Sequence, residues 1–349
     1  MKTIKLKIIL LAFGSVFLTS CTSLLYTSLD VLRPASISFA PEANNLLLVN
    51  NSITQPPELG HKTELLNQNT KYVLLSSDSL AIFCLATLKE DMEGKNFFNS
   101  IKMLTDSKNQ GIDFSTIKKL DPDSVKNLCA DAQANVILSL DRIKVNDLLT
   151  EFYLPENNSY LSTLELKFET VWTVGYPDKS ETSTVLFKDT VYWEAESLNA
   201  KTSLSKLPDR QNALIDGALY VGHKSIDRFI PHWDKVDRYF FNSGNKLMKQ
   251  AMDSVYVKNW KSAILNWKNA IKTTKNNSII AQAENNIAIA YEIIGNVDMA
   301  LDYATQSNLT MRKQDFIDIE TFMRMTKYIE ELKIRQKDIA TLKVQLGEE

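Results

Sequence analysis

The sequence predicts an α+β protein: a mixed sheet domain with flanking helices, followed by an all-α domain of helical hairpins. Three observations carry that expectation. Apolar residues alternate with a period of two between Val136 and Trp193, they recur at three- and four-residue steps beyond Asn245, and Pro231 stands between the two regimes. With 349 residues and 44% hydrophobic content, the chain is long enough for two domains that each bury a core.

The amino-terminal part is read first. Lys2, Lys5 and Lys7 precede an apolar run from Ile8 to Leu18, too short to span a bilayer as a mature helix, so residues 1–20 are expected to be a secretory signal. Residues 21–43 are expected to form a tether and an extended segment, because the residues before Pro34 and Pro41 are pushed out of the helical region. A mixed α+β domain then covers 44–231. Its first strand is the continuous apolar run Leu46 to Asn50, broken by the prolines of the 55–60 stretch. A helix is expected over 79–93, capped by Ser77 or Asp78 and stopped by Gly94, with a strand over 97–104 after it. Asp121-Pro122 starts another helix, which sets Val125, Leu128, Cys129 and Ala132 on one face.

From Asn135 the period is two. Val136, Leu138 and Leu140 alternate, and an irregular piece runs to Pro155. The strand over 160–174 carries Leu164, Leu166, Phe168 and Trp172 on one face and Glu165, Lys167 and Glu169 on the other. A turn at 175–179 and a returning strand over 184–194 make an antiparallel hairpin with one wet face. The 196–209 stretch is polar, and a helix over 211–230 ends at Pro231, whose ring cannot continue it.

The domain boundary is expected between Pro231 and Asn245. Trp260, Ala263, Ile264, Trp267, Ala270 and Ile271 form an amphipathic stripe. Ile287, Ala288, Tyr291, Gly295, Ala300 and Leu301 fall at the offsets of a tetratricopeptide repeat, which makes 232–314 resemble two such repeats. Arrays of this kind need about three copies to bury a continuous core. Residues 315–349 are therefore expected to supply a capping helix through Phe322, Met325, Ile329 and Leu332. A coiled-coil arm is the alternative, and Gln336 and Lys343 interrupt its seam.

Charge and chemistry exclude several classes. With 40 basic and 42 acidic residues there is no footprint for nucleic acid or an anionic membrane surface. His61 lies in a proline-bounded loop without a ligand at helical spacing; His223 and His232, close to Asp227, Asp234 and Asp237, read as groups satisfying a helix end rather than as a base pair. There is no nucleophile elbow, phosphate-binding glycine loop, zinc-binding histidine pair or dinucleotide fingerprint. No catalytic residue, metal or cofactor is expected. Cys84 and Cys129 would pair as a disulfide in an oxidising compartment, or stay as buried thiols on separate helices.

Leu18-Thr19-Ser20-Cys21 resembles the lipobox of bacterial lipoproteins, which implies cleavage before Cys21 and acylation of its sulfur and new amino terminus. Several acyl chains hold a protein on a membrane stably where one does not. Thr22 is not the aspartate that retains such proteins in the inner membrane of enteric bacteria, and 22–29 has no acidic cluster for surface export. The resemblance thus implies an outer-membrane anchor facing the periplasm. Together with Arg33-Pro34-Ala35, the strand ending in Asn50, and Pro231, Trp233, Arg238 and Tyr239 leading into the helices, the chain from Cys21 to Asn308 resembles a Bacteroidota lipoprotein family with tetratricopeptide repeats, of the domain-of-unknown-function-6340 type. That family implies no catalytic residues. Of the carboxylate clamp of some tetratricopeptide domains only Asn286 is matched, Met248 and Met252 taking the other positions. The expected partner surface is an apolar groove around Met248, Met252, Asn286 and Ile289. The expected function is a non-enzymatic adaptor or scaffold that holds an envelope protein or peptide. The alternative is a small-ligand binder or enzyme with a pocket between sheet and helices, near His223 and Trp193.

Overall fold

A computed structural model of the chain describes residues 24–107, 109, 113–179 and 182–347. Residues 1–20 and Cys21 lie outside the described residues. The chain forms two compact units: a helical unit of residues up to Pro34 with His232–Lys343, and a sheet unit of Ala35–Pro231 with the residues from Val344 on.

The helical unit opens with β1 (Leu24–Arg33), and the sheet unit contains β2 (Asn45–Asn50), β3 (His61–Glu64), β4 (Lys71–Tyr72), β5 (Ser100–Leu104), β6 (Val136–Leu154), β7 (Ser159–Gly175) and β8 (Ser183–Ser197). β5, β2 and the first part of β6 run parallel in that order, β3 continues on the same edge of β6 beyond β2, and β7 and β8 follow antiparallel on the far edge. Leu46 and Leu48 of β2 face the larger core, beneath helices α1 (Leu80–Lys95) and α4 (Arg210–Phe229); Leu47 and Val49 face α2 (Pro122–Ala132). Burial on both faces is why β2 reads as an unbroken apolar run rather than an alternating one. Where helices cover one face only, alternation returns: β8 is half-buried and exposed by turns along its whole length.

Several local expectations are corrected. α1 does not stop at Gly94: a side chain there would meet nothing, so the glycine is tolerated on an open face, and Asn96 ends the helix in the left-handed region (φ 52°). β6 is continuous through the piece expected to be irregular, with one register shift between Leu140 and Arg142, because β3 and β7 pair with it on either side. The polar 196–209 stretch contains a short helix α3 (Ala200–Ser205), whose buried Ser203 shares a 2.7 Å hydroxyl contact with Ser162 of β7. α2 starts as expected, Asp121 accepting from the Ser124 N–H with Pro122 in the first turn. α1 and α4 approach so closely that a Cβ on Gly222 would run into the Cys84 carbonyl oxygen.

Cys84 and Cys129 are both free and buried. Cys84 packs in the core under α1 and Cys129 on the opposite side of the sheet with Val49 and Ile137. The disulfide is therefore excluded by the sheet that separates the two thiols. Burial pushes the Cys84 thiol up to about 12 and raises that of Cys129. Both stay protonated at neutral pH, so iodoacetamide should leave them unmodified in the native chain and label both in denaturant, as read by intact mass; rapid native labelling of either contradicts this packing.

In the helical unit β1 pairs antiparallel with β9 (His232–Phe241), from Leu24 opposite Phe241 to Arg33 opposite His232. Residues 24–33 are thus extended, as a paired strand rather than a free tether, and 232–241 are a strand and not the opening of a repeat. Four helices follow as two antiparallel hairpins: α5 (Lys246–Tyr256) with α6 (Trp260–Thr273), and α7 (Asn277–Ile293) with α8 (Val297–Met311). Asn245, Asn259, Asn276 and Asn296 cap these helices, each side chain accepting from a first-turn N–H. Gly295, at φ 84°, makes the turn from α7 to α8. α9 (Ile319–Leu346) lays Met325, Tyr328 and Leu332 onto the shared core.

Candidate functional site: a strand held by the helical unit

The groove expected to receive a partner is the interior of the helical unit. Met248, Met252, Asn286 and Ile289 are all buried in its core. The chain's own strand β9 packs into the same core through Phe240 and Phe241. Asn286 on α7 brackets one residue of that strand: its Oδ1 accepts from the Phe241 N–H at 2.8 Å and its Nδ2 donates to the Phe241 carbonyl at 2.9 Å. Phe240 stacks near-parallel on Trp260 and Trp267 of α6, with centroids 6.2 and 5.7 Å away. The apolar groove of the sequence reading is corrected accordingly: Asn286 is a main-chain clasp, and the methionines and Ile289 are core.

The next anchor on β9 is Arg238, 5% exposed. Its Nε and Nη2 donate to the two oxygens of Glu292 on α7 at 2.7 and 2.9 Å, and its Nη1 donates to Glu331 on α9 at 2.8 Å. Tyr328 donates its hydroxyl to Glu292 at 2.9 Å. Burial works against the charge on Arg238, yet the hydrogen bonds and charge of Glu292 outweigh it and hold the guanidinium above its ordinary pKa. Burial, reinforced by the Glu292 charge, raises the Tyr328 phenol. This network ties β9, α7 and α9 together. Sequence reading named Arg238 but not its partners, because Glu292 and Glu331 lie 54 and 93 residues away.

Asn286 provides a test of the clasp. Asn286→Ala leaves a buried N–H and a buried carbonyl without partners, so it should lower the stability of the helical unit by about 1–3 kcal/mol. Urea unfolding followed by the fluorescence of Trp260 and Trp267 reads the change; a loss below a few tenths of a kcal/mol contradicts the assignment.

Residues weighed for chemistry are placed as follows. His61 is fully buried on β3, its Nδ1 in a short contact with Asp147 of β6, and Arg210 donates to Asp147 through Nε at 2.8 Å and to Thr63 at 2.7 Å. The partner of His61 was missed because strand pairing, and not chain spacing, brings Asp147 beside it. The imidazole Nε2 has no partner but is sealed from solvent, so the cluster is a structural knot of β3, β6 and α4. His223 is exposed and sits 2.7 Å from Asp91. Trp193 packs against the core, and Trp172 is wholly inside it. Among the described residues no group of three or more metal-binding side chains comes together, and no helix is long and apolar enough to cross a membrane.

The fold is that of a two-unit α+β protein whose helical part holds a strand of its own chain. A model for a domain of unknown function, DUF8603, matches residues 43–241, over half of the chain, and the chain belongs to that family. A second model, also for a domain of unknown function, DUF6340, matches residues 249–334. The family expected over Cys21 to Asn308 is therefore met only in the helical part, and the sheet unit falls to a different one. No curated protein matches. Solved structures that are similar include an uncharacterized protein at 9% identity and TM-score 0.23, covering 52% of this chain and 90% of that one. A Helicobacter pylori protein named as a homolog of a neuraminyllactose-binding hemagglutinin has 9% identity, TM-score 0.27 and covers 53% and 87%. A hypothetical protein from Chlamydia trachomatis has 9% identity, TM-score 0.21 and covers 53% and 91%. Likeness at these scores carries no argument about this chain.

Proposed function

We propose that the protein is a bacterial lipoprotein of the cell envelope, anchored through Cys21 and facing the periplasm, that works without catalysis by holding another polypeptide on its helical unit. One observation carries the reading: the helical hairpins, whose small residues follow tetratricopeptide spacing, already grip an extended strand through main-chain hydrogen bonds from Asn286. That is a mode of holding peptides, used here on β9. With the interior taken, the surface offered to a partner is the solvent side of the β1–β9 ribbon, where Tyr26 and Trp233 stand 59% and 71% exposed. Tyrosine and tryptophan are the side chains that most often dominate protein interfaces.

A photoreactive amino acid placed at Tyr26 or at Trp233 in cells should crosslink to one discrete envelope protein, while the same probe at Tyr192, equally exposed on β8 of the sheet unit, should not. Crosslinking from neither position, or equally from all three, counts against the adaptor. The anchor has its own check. Mass spectrometry of membrane-extracted protein should find acyl chains on Cys21, and Cys21→Ala should release the chain from the membrane fraction; an unmodified, freely soluble native chain overturns it.

A further inference from the structure

The carboxyl edge of the parallel strands holds a cavity independent of the helical unit. From β2 the chain returns through α1 to the neighbouring strand β5, and from β5 it returns through α2 to β6; α1 and α2 cover opposite faces of the sheet. The strand order β5-β2-β6 reverses at β2, and in open parallel sheets ligands bind beyond the carboxyl ends of the strands at such a reversal. A cavity of about 220 Å³ lies there. Asn50 at the end of β2 and Ser52 beyond it, and Thr105 and Ser107 beyond β5, line it.

These groups are locked to one another. Asn50 Nδ2 donates to the Thr105 carbonyl at 2.9 Å, Ser52 Oγ to Asn50 Oδ1 at 2.8 Å, and Ser107 Oγ to the Ser52 carbonyl at 2.6 Å, which makes a pre-formed polar floor. Ser77, on the cavity wall, is different. It is 6% exposed and its Oγ has no hydrogen-bond partner. Beside it the first turn of α1 has no side-chain cap, and Ala81 and Ile82 of that turn also line the cavity. The Leu80 N–H of that turn already donates to the Ser77 carbonyl at 3.2 Å, so it is the buried Ser77 hydroxyl that is left for something that is not part of the chain.

The lining selects the ligand chemistry. Among the described residues it contains no lysine, arginine or histidine, and its charged members are Asp78 and Asp106. A phosphate or carboxylate would meet these two negative charges with no counter-ion among the described lining residues, and Asp78 already complements the positive end of α1. An apolar molecule would leave the Ser77 hydroxyl unpaired. Alcohol hydroxyls meet both demands, because each accepts from a hydroxyl or N–H and donates to a carboxylate or amide oxygen. The volume is below the roughly 300–1,000 Å³ of pockets for drug-sized molecules, which suits one ring. We propose that this cavity binds a single uncharged sugar ring.

The test uses the full chain with isoleucine methyl groups labelled for NMR. Ile53, Ile82 and Ile143 line the cavity, and Ile289 of the helical unit is the internal control. Glucose, galactose, mannose and N-acetylglucosamine are titrated to millimolar concentration, with inorganic phosphate as the anionic probe. At least one sugar should shift the three cavity methyls and leave Ile289 in place, and Ser77→Ala should weaken that binding about tenfold, the value of one hydrogen bond to a buried group. Ser77→Ala only removes a hydroxyl without a partner, so it should fold as the parent does, as an unchanged Ile137 methyl signal verifies. The proposal is overturned if none of the four sugars moves the cavity methyls, if phosphate moves them more strongly, or if Ser77→Ala binds as tightly as the parent.

Discussion

Arg238→Met should destabilise the helical unit by about 3–5 kcal/mol, the usual result of removing one member of a buried ion pair and leaving the other uncompensated. Glu292 is the partner left behind, with a side chain that is 0% exposed. Arg335 already stands 3.8 Å from Glu292 and offsets part of the lost charge, without replacing the two hydrogen bonds that Arg238 donates. Since whole domains are stable by only about 5–15 kcal/mol, such a loss is a large fraction of the total. Urea unfolding followed by tryptophan fluorescence measures it. A second variant separates the loss of the pair from the loss of the side chain: Arg238→Met combined with Glu292→Leu should recover at least half of the stability, because the fully buried carboxylate is then gone and the remaining Glu331 is partly exposed. A single-variant cost below about 1 kcal/mol, the range of exposed pairs, would show that the pair is solvated.

Trp172→Ala should cost the sheet unit a similar amount, about 3–5 kcal/mol, through lost burial and the cavity left behind. Trp172 is 0% exposed, meets the edge of Phe229 at a centroid distance of 5.2 Å, and donates its indole N–H to Thr170 at 2.9 Å. Its removal therefore opens the contact between β7 and α4 and strands the Thr170 hydroxyl together. Trp172→Phe keeps most of the volume and should lose clearly less. Hydrogen exchange at the β7 amides is the sharper measurement, since it reports this sheet without the helical unit. If protection there is unchanged in Trp172→Ala, the side chain is not part of the core as described.

The two variants act on parts of the molecule that differ in how far the sequence exposes them. Trp172 sits in a period-two stripe with Leu164, Leu166 and Phe168, and the stripe marks its burial directly. Arg238 carries no such mark: a charged residue among aromatics reads as a linker until Glu292 and Glu331 are seen around it. The candidate partner residues show the same limit. Small and apolar side chains at repeat offsets identify a helical surface that contacts something, and they do so whether the contact is a foreign peptide or β9. Asn286 reads as a remnant of a clamp and is a clasp on Phe241. The polar residues that close β2 and β5, Asn50-Asn51-Ser52 and Thr105-Asp106-Ser107, are a legible signal of the carboxyl edge: two apolar strands end alike in short polar side chains.

Patterns that act over a few residues were sufficient to define the α+β class, the antiparallel β7–β8 hairpin, the start of α2 at Asp121-Pro122 and the helix-ending role of Pro231, because caps, prolines and periodicity work locally. Pairing across long stretches of chain was settled in three dimensions. β1 has the alternation of a strand, yet only the presence of β9, some 200 positions later, turns it from a tether into half of a ribbon. Cys84 and Cys129 could have met, and the sheet between them keeps them apart. The physical reason is the same in each case: a side chain's own chemistry limits what it can contact, and which contact it makes depends on what the rest of the fold brings within a few ångströms of it.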